Sequence, residues 1–484
     1  MPDPGGDPDA PGREAKDAAG IGSLAIVLHS HMPYVEGFGT YPFGEEWLFE
    51  AYARSHLPVL DVARDATMSV SPVLADQLEA PGVPERMRAF LREHRLAAAE
   101  RDVAAGGAEA AAAAAEAARY ARALERLDAL AGDLLEPFRQ AARDRRLALI
   151  GSAATHAVLP LIATEAGRRL QIDAGLRSHR RRFGPTDGLW LPECAYEPRL
   201  ERLLAEQDIG FFCADQSAHE PAGDSLAPAR TVSGRLAFTI DWEGVSQVWS
   251  ERGYPSRPEY LEYHRLSTNG IRLWAIGGAT YDAAAASRRA REDAGRFTEH
   301  LAQRLAAYRD ERGRPGLATF AVDTELLGHW WSEGPEWLAA VVRKAPERGI
   351  RLVALPEAAA EHRGERRPLR DSTWGDGKDL RTWDSSPVAD LTWAARRLEL
   401  RLLSALGAGR LGPEAAHRAA RELLAVQASD WAFLDAKRQA GDYPFARATD
   451  HAERLLEAID SPAPPDPRMR NLAPDLNLSP LLEP

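Results

Sequence analysis

Only two cysteines, Cys194 and Cys213, occur in 484 residues. That is too few for a disulfide framework or a CxxC metal knuckle, and both read as small buried thiols in a protein of a reducing compartment. Long apolar runs are missing too: no stretch approaches the roughly 18 apolar residues of a membrane span. The first twenty residues also lack the basic-then-apolar pattern of a secretory signal. The expected location is therefore the cytoplasm, away from any membrane. Excess positive charge is absent as well. A net charge of −12 argues against a phosphate-neutralising face, so nucleic acid is not an expected partner, whereas neutral substrates remain open.

What the chain does have is length and core. A hydrophobic share of 45% in 484 residues supports one large catalytic domain plus a smaller one. Residues 1–20, rich in Pro, Gly and Asp, are too poor in apolar side chains to repay ordering and are expected to be a disordered tail. From there, short apolar runs of strand length alternate with helical patterns: 24–28, 67–74, 147–151, 188–192, 210–214, 236–240 and 317–322 read as strands. Such alternation implies parallel strands with crossover helices, whose functional groups collect at the strands' carboxyl ends.

The exits of those runs carry the chemistry. The first runs into HSHMPYV, so His29 and His31 share one face at a strand end; they are read as metal ligands, as hydrogen-bond donors to a hydroxyl-rich substrate, or as one structural and one exposed histidine. His156 follows the third run, and Asp215 ends the fifth. In DGLWLPECAYEP, Glu193 follows Pro192 and is walled by Trp190, Tyr196 and Pro198. A carboxylate in such a setting has a raised proton affinity or an engaged partner, which suits a nucleophile or general acid; the plain alternative is a surface Glu at a strand end. Asp323 ends the run before TELLGHWWSEGPEW and is either a second catalytic carboxylate or a helix N-cap. Two carboxylates at one barrel mouth, with aromatic side chains and histidines around them, are what glycosidic-bond chemistry requires.

Between the strands, residues 84–145 form a helical stretch with an Ala/Glu/Arg tract, its turn at Gly106 and Gly107. Residues 37–47 form a loop with Phe38, Tyr41, Phe43 and Trp47, and 250–268 a long polar connection that is a lid candidate. Trp274 is placed on a short strand. Helices are expected over 387–407, 413–435 and 446–459.

Together HSHMPYV, GSAATHAVLPL, GLWLPECAYEP, AVDTELLGHWWSEGP and STWGDGKDLRTW resemble the five ordered sequence regions of glycoside hydrolase family 57. Within the family the chain most resembles the α-1,4-glucan branching enzymes, through VWSERGYP, the Trp374 and Trp383 pair and QASDWAF over 427–433. The resemblance implies an incomplete (β/α)7 barrel over 21–382, with a helical insertion at about 80–146 and a lid over about 249–268. It further implies an all-α carboxyl-terminal domain over 383–462 and an extended Pro-rich tail over 463–484. Glu193 matches the family's nucleophile and Asp323 its acid/base, so retention would set their carboxyl groups about 5–5.5 Å apart. By the same likeness His29, His31, His156 and Asp215 line the cleavage subsite. Trp274, Trp374, Trp383 and Trp431, with Asp430 beside the last, resemble sugar-contacting positions, and Tyr254 falls where branching members carry a loop tyrosine.

The implied partner is an α-1,4-glucan, as donor and acceptor, with no metal and no cofactor. The chain departs from the branching pattern where Lys378 follows Gly377, over 384–386 and over 437–448, which bears on acceptor preference. A 4-α-glucanotransferase or an α-amylase is the runner-up. Two other classes compete: a zinc hydrolase of the deacetylase or mannosidase type with His29, His31 and Asp323 as ligands, and a non-catalytic glucan-binding protein.

Overall fold

A computed structural model describes residues 20–37, 39, 43–219, 225–460 and 471–482. The expected disordered tail falls outside them apart from Gly20, as do Phe38 and Tyr41. Seven parallel strands carry the architecture. They are β1 (Gly22–Ser30), β2 (Ala66–Val70), β3 (Leu147–Ser152), β4 (Gly188–Trp190), β5 (Phe211–Ala214), β7 (Leu236–Thr239) and β8 (Gly316–Asp323). Their order is β7–β5–β4–β3–β2–β1–β8, and every neighbouring pair is parallel. β1 is buried along its whole length, the continuous apolar reading of a strand covered on both faces.

The ring then closes through a single contact. Ile240, just past β7, bridges Thr319 of β8 in parallel, and the Asp241 N–H donates to the Thr319 carbonyl at 2.9 Å. This is the incomplete (β/α)7 barrel, with one seam held by a bridge rather than a ladder. The short β6 (Ala229–Arg230) runs antiparallel to β7 and carries β10 (Glu365–Arg366), while β9 (Ile350–Leu352) lies along the start of β1.

Crossover helices Glu165–Phe183, Leu200–Glu206 and Ala283–Arg312 return the chain between strands. Two of them start on side-chain caps: Thr164 accepts from Gly167 N–H, and Asp282 accepts from the Ala284 and Ala285 N–H groups, satisfying donors the helix cannot. Between β2 and β3 stand the Ala-rich helices Ala97–Ala105 and Ala110–Ala129. They turn at Gly106 and Gly107, whose φ of 72° and 83° no larger residue adopts cheaply. An ion pair of Arg54 with Glu116 at 2.6 Å, buried on both sides, ties this pair to the segment before β2.

Several expectations need correction. The strand read over 67–74 stops at Val70, because Pro72 opens a helix, Pro72–Leu78, at the position where a missing N–H is harmless. The run around Trp274 is no strand of the sheet; it makes only isolated bridges, Arg272 to Leu266, Trp274 to Thr280 and Ala275 to Leu261. The helix read over 413–435 is two, Pro413–Val426 and Ser429–Ala436. Ala428 between them is extended and bridges Ala157, and the Ser429 N–H donates to the His156 carbonyl at 3.3 Å. The tail read as extended over 463–484 packs instead where it is described: Leu472, Ala473, Leu476 and Leu481 are buried, and Asp76 receives the Ala473 N–H at 2.7 Å.

Candidate active site

Parallel register collects the site before any side chain is considered. His29 on β1 is paired in register with Ser69 of β2 on one side and Asp323 of β8 on the other. His156, Glu193, Asp215 and Trp242 follow the ends of β3, β4, β5 and β7. All seven strands thus deliver a polar or aromatic group to one end of the barrel, where such a fold keeps its chemistry. Around the ring, β4 and β8 are separated by β3, β2 and β1 on one side and by β5 and β7 on the other. Glu193 and Asp323 therefore face each other across the mouth, and the Glu193 charge acts on Asp323.

Glu193 sits at φ 60°, and Cys194 after it at φ 48°. Two consecutive non-glycine residues in the left-handed region are strained, and such strain persists only where the surroundings hold it. Pro192 before them restricts the entry. The Trp374 indole N–H donates to Glu193 Oε2 at 2.8 Å, and His156 Nδ1 lies 3.5 Å from Oε1. Burial raises the Glu193 pKa; hydrogen bonds from Trp374 and Ser429 pull it back, and the Asp430 charge adds to the rise.

Asp323 makes no side-chain hydrogen bond among the described residues and stays partly accessible. Burial, then the charges of Glu325 and Glu193, hold its pKa well above the ordinary value, against a smaller pull from His31. The two carboxyl groups thus differ in kind. Donors orient Glu193, whereas burial and two neighbouring carboxylates disfavour the charged form of Asp323.

The histidines form a stack. His29 lies over Trp190 at 4.5 Å between ring centres, tilted 13°, and His156 is 4.7 Å from His29 and 4.1 Å from His31. His29 Nε2 meets His156 Nε2 at 2.9 Å, so one donates and the other accepts. Their outer nitrogens reach Ser69 at 2.6 Å and Ser429 at 2.9 Å. Burial and the neighbouring imidazoles push both His29 and His156 well below the usual histidine pKa, leaving them neutral. His31 differs: burial opposes its charge, but Asp430 at 2.9 Å from Nε2, with Glu325 and Glu193, outweighs burial and raises it. Ser71 takes its Nδ1 at 2.9 Å.

Asp215 is fully buried. Its Oδ1 accepts from the Ser217 N–H at 2.8 Å, and its Oδ2 from the Trp242 indole N–H and from the Lys378 ammonium at 3.0 Å. Glu325 accepts the His31 N–H at 3.1 Å and meets His56 Nε2 at 2.6 Å.

Of the aromatic residues expected to contact sugar, Trp374 alone touches a carboxylate. Trp383 and Trp431 are 1% exposed, with no ring face open: Trp383 packs with Val158, Ala195, Val388 and Ala432, and the Trp431 indole N–H donates to the Ala425 carbonyl. Trp274 lies under the Arg265 guanidinium at 4.0 Å. Tyr254 is buried, its hydroxyl on Gln247 and its ring beside Trp337; burial lifts its pKa to about 12. These positions were read from motif likeness, which says nothing of where a ring points. Asp430, by contrast, is in the site, because the break at Ala428 swings the Ser429–Ala436 helix onto the histidines.

Ser69, Ser71, Ser429, His56 and Trp242 are site residues that the sequence reading did not single out. One signal was available: Ser69 and Ser71 repeat at the end of β2 the i, i+2 spacing of His29 and His31 on β1, and adjacent parallel strands pair such positions. The remaining three come from distant segments, with no comparable signal.

Trp374→Phe isolates one of these contacts. It keeps the ring and removes the donor to Glu193, so transfer should fall about tenfold, the weight of a charge-assisted hydrogen bond. The acid limb of the pH–rate profile should move to higher pH, since the lost bond favours the ionised carboxylate. An unchanged acid limb would show that Trp374 does not tune Glu193.

Comparison with known proteins agrees in extent and order. Residues 25–369 match the pattern of Glycosyl hydrolase family 57, and residues 391–472 match that of the 1,4-alpha-glucan branching enzyme, C-terminal region. The chain is 30% identical over 489 residues to the 1,4-alpha-glucan branching enzyme TK1436 of Thermococcus kodakarensis, covering 89% of this chain and 72% of that protein. It is 32% identical to the probable 1,4-alpha-glucan branching enzyme MT3115 of Mycobacterium tuberculosis, covering 90% and 91%. The GH57-type branching enzyme from Pyrococcus horikoshii has a similar structure, with a TM-score of 0.88 at 28% identity over 95% of this chain and 97% of that one. Since the family pattern runs from within β1 past the end of β10 and takes in both facing carboxylates, the chain belongs to glycosyl hydrolase family 57.

Proposed function

We propose that the chain is a retaining 1,4-α-glucan branching enzyme, and the observation that carries this reading is the pair Glu193 and Asp323 at opposite strand exits in unlike environments. Glu193 attacks the anomeric carbon of an α-1,4-linked donor while Asp323 gives its proton to the departing chain. Asp323 then takes the proton of an incoming glucan 6-hydroxyl, which displaces Glu193 and leaves an α-1,6 branch with the original configuration. The stacked His29, His156 and His31, their ring nitrogens engaged by Ser69, Ser429, Ser71 and Asp430, wall the site, and Asp430, whose Oδ2 has no hydrogen-bond partner among the described residues, supplies an acceptor.

Supporting the branching acceptor over water or a 4-hydroxyl are the branching-enzyme relatives and the second pattern over 391–472. The zinc alternative has less support, because the nitrogens of its histidines face protein partners: His29 meets Ser69 and His156, and His31 meets Ser71 and Asp430. The two free, buried thiols suit a cytoplasmic setting, and no helix among the described residues is long and apolar enough to cross a membrane.

Amylose is the test substrate. Purified protein should create branches that isoamylase removes, with few new reducing ends and no loss on treatment with a chelator. Reducing ends without branches would make it an amylase, linear chains of redistributed length a 4-α-glucanotransferase, and chelator sensitivity would favour zinc.

A further inference from the structure

Lys378 is one of the places where the chain departs from the branching pattern, and the structure gives that departure a setting. Only four of the 60 basic residues are lysines: Lys16, Lys344, Lys378 and Lys437. Two of the four hold one loop. Lys378 reaches Asp215, and Lys437 pairs with Asp376, both on the segment between Ser372 and Trp383.

The segment is tied to the nucleophile at its other end. Ser372 bridges Tyr196, the Trp374 N–H donates to the Glu193 carbonyl at 3.0 Å, and the Trp374 indole holds the carboxylate. Lys378 is coupled to this end directly, because its carbonyl accepts the Thr373 N–H at 3.2 Å and Trp374 is the next residue. Its backbone is at φ 61°, after Gly377 at 68°. Two left-handed residues in succession turn the side chain back beneath the loop, and a non-glycine residue kept there is a strain the fold must hold.

The ammonium lies 3.0 Å from Asp215 Oδ2 and 3.3 Å from the centre of the Trp242 ring. A compact ammonium fits between an indole face and a carboxylate, where a planar guanidinium would need more room. This explains lysine in a chain that otherwise uses arginine. The Lys378 and Asp215 side chains are 36% and 0% exposed, against 33% and 70% for Lys437 and Asp376. The two lysines are about equally exposed and the difference lies in the carboxylates: Asp215 is buried, whereas Asp376 is an ordinary surface group.

We propose that Lys378 is a positioning residue that sets how the glycosyl-enzyme divides between a sugar hydroxyl and water, by latching the Trp374 loop over Glu193. The inference rests on the transferase reading above. In either fate the bond between Glu193 and the anomeric carbon breaks, the incoming oxygen bonds to that carbon, and its proton goes to Asp323; only the incoming molecule differs. With the latch closed, Trp374 stays on Glu193 and small molecules are kept from the ester, while an acceptor chain arrives with binding energy of its own. With it open, water competes.

The test measures, on amylose, new reducing ends per isoamylase-sensitive branch. Lys378→Met should raise that ratio about fivefold or more while donor cleavage at saturating amylose falls by no more than the about tenfold expected of Trp374→Phe, because loosening the loop weakens at most the one bond that Trp374 makes to Glu193. Lys378→Arg should lie between, and Lys437→Met should stay within about twofold of the parent. Lys378→Gln, neutral and polar, is read by the same ratio should the Met variant fail to fold. A parent that branches normally with a Lys378→Met ratio unchanged overturns this inference alone, as does a Lys437→Met effect of equal size. A parent that yields only reducing ends overturns the transferase reading and this inference together.

Discussion

Glu193→Gln is expected to lower both branching and hydrolysis of amylose by about 10⁴-fold or more, the loss typical when a covalent nucleophile is removed. The amide has the carboxylate's shape and can still accept from the Trp374 indole, so the site keeps its geometry and loses only the attacking charge. Stability should move the other way. Burial is the largest influence on Glu193 and raises its pKa. A raised carboxyl adds stability that is present below its unfolded pKa and lost as pH rises through the folded one. Above the folded pKa the parent has lost that contribution while the neutral Gln variant has nothing to lose, so there the variant should unfold at the same temperature or higher. Calorimetry beside an activity assay separates the two effects. A variant that still turns over glucan would end the assignment, and one that is inactive because it is unfolded would move the loss from chemistry to packing.

Asp323→Asn is expected to cost about 10²–10⁴-fold on amylose, the range of general acid–base catalysis, and to change the shape of the pH profile. Glu193 must be ionised and Asp323 protonated for the first step. The parent rate should therefore fall below the raised Glu193 pKa and again above the Asp323 pKa, giving a bell displaced upward from the ordinary carboxylate range. Because the Glu193 charge acts on Asp323, the two limbs belong to the pair. The Asn variant has no proton to lose, so its alkaline limb should vanish while the acid limb stays in place, since a protonated, neutral Asp323 did not oppose the ionisation of Glu193 in the parent. Donors that leave without help, such as glycosyl fluorides, should recover most of the first step. If the alkaline limb persists in Asp323→Asn, another group supplies the proton, and Glu325, buried on His56 and the His31 backbone, is the one to test next.

Much of this was legible in the residues, because strand exits in a parallel barrel are recognisable as apolar runs that stop on a polar group. Glu193, Asp323, His29, His31, His156 and Asp215 all stand at such exits, and parallel pairing alone draws them to one end. The aromatic positions fared worse. Trp383 and Trp431 are core side chains, and Tyr254 packs against Trp337, because the direction of a ring depends on what fills the space beside it. Motif likeness carries a residue's position in the chain and not the side it faces.

The helix break at Ala428 shows the same divide. Nothing local in Gln427, Ala428 and Ser429 forbids a helix, and only the bridge from Ala428 to Ala157 ends it. That long-range contact brings Ser429 to His156 and Asp430 to His31, joining the carboxyl-terminal helices to the barrel's chemistry. The Arg-dominated composition, the alternation of strand and helix and the exit carboxylates were local properties, and the amino-acid order alone determined them. Which carboxyl is oriented by donors and which is left to carry a proton, which tryptophan meets a carboxylate, and what the lone lysine of the Trp374 loop holds were decided by tertiary packing. Each of those depends on groups far apart in the chain sharing one small, poorly solvated volume.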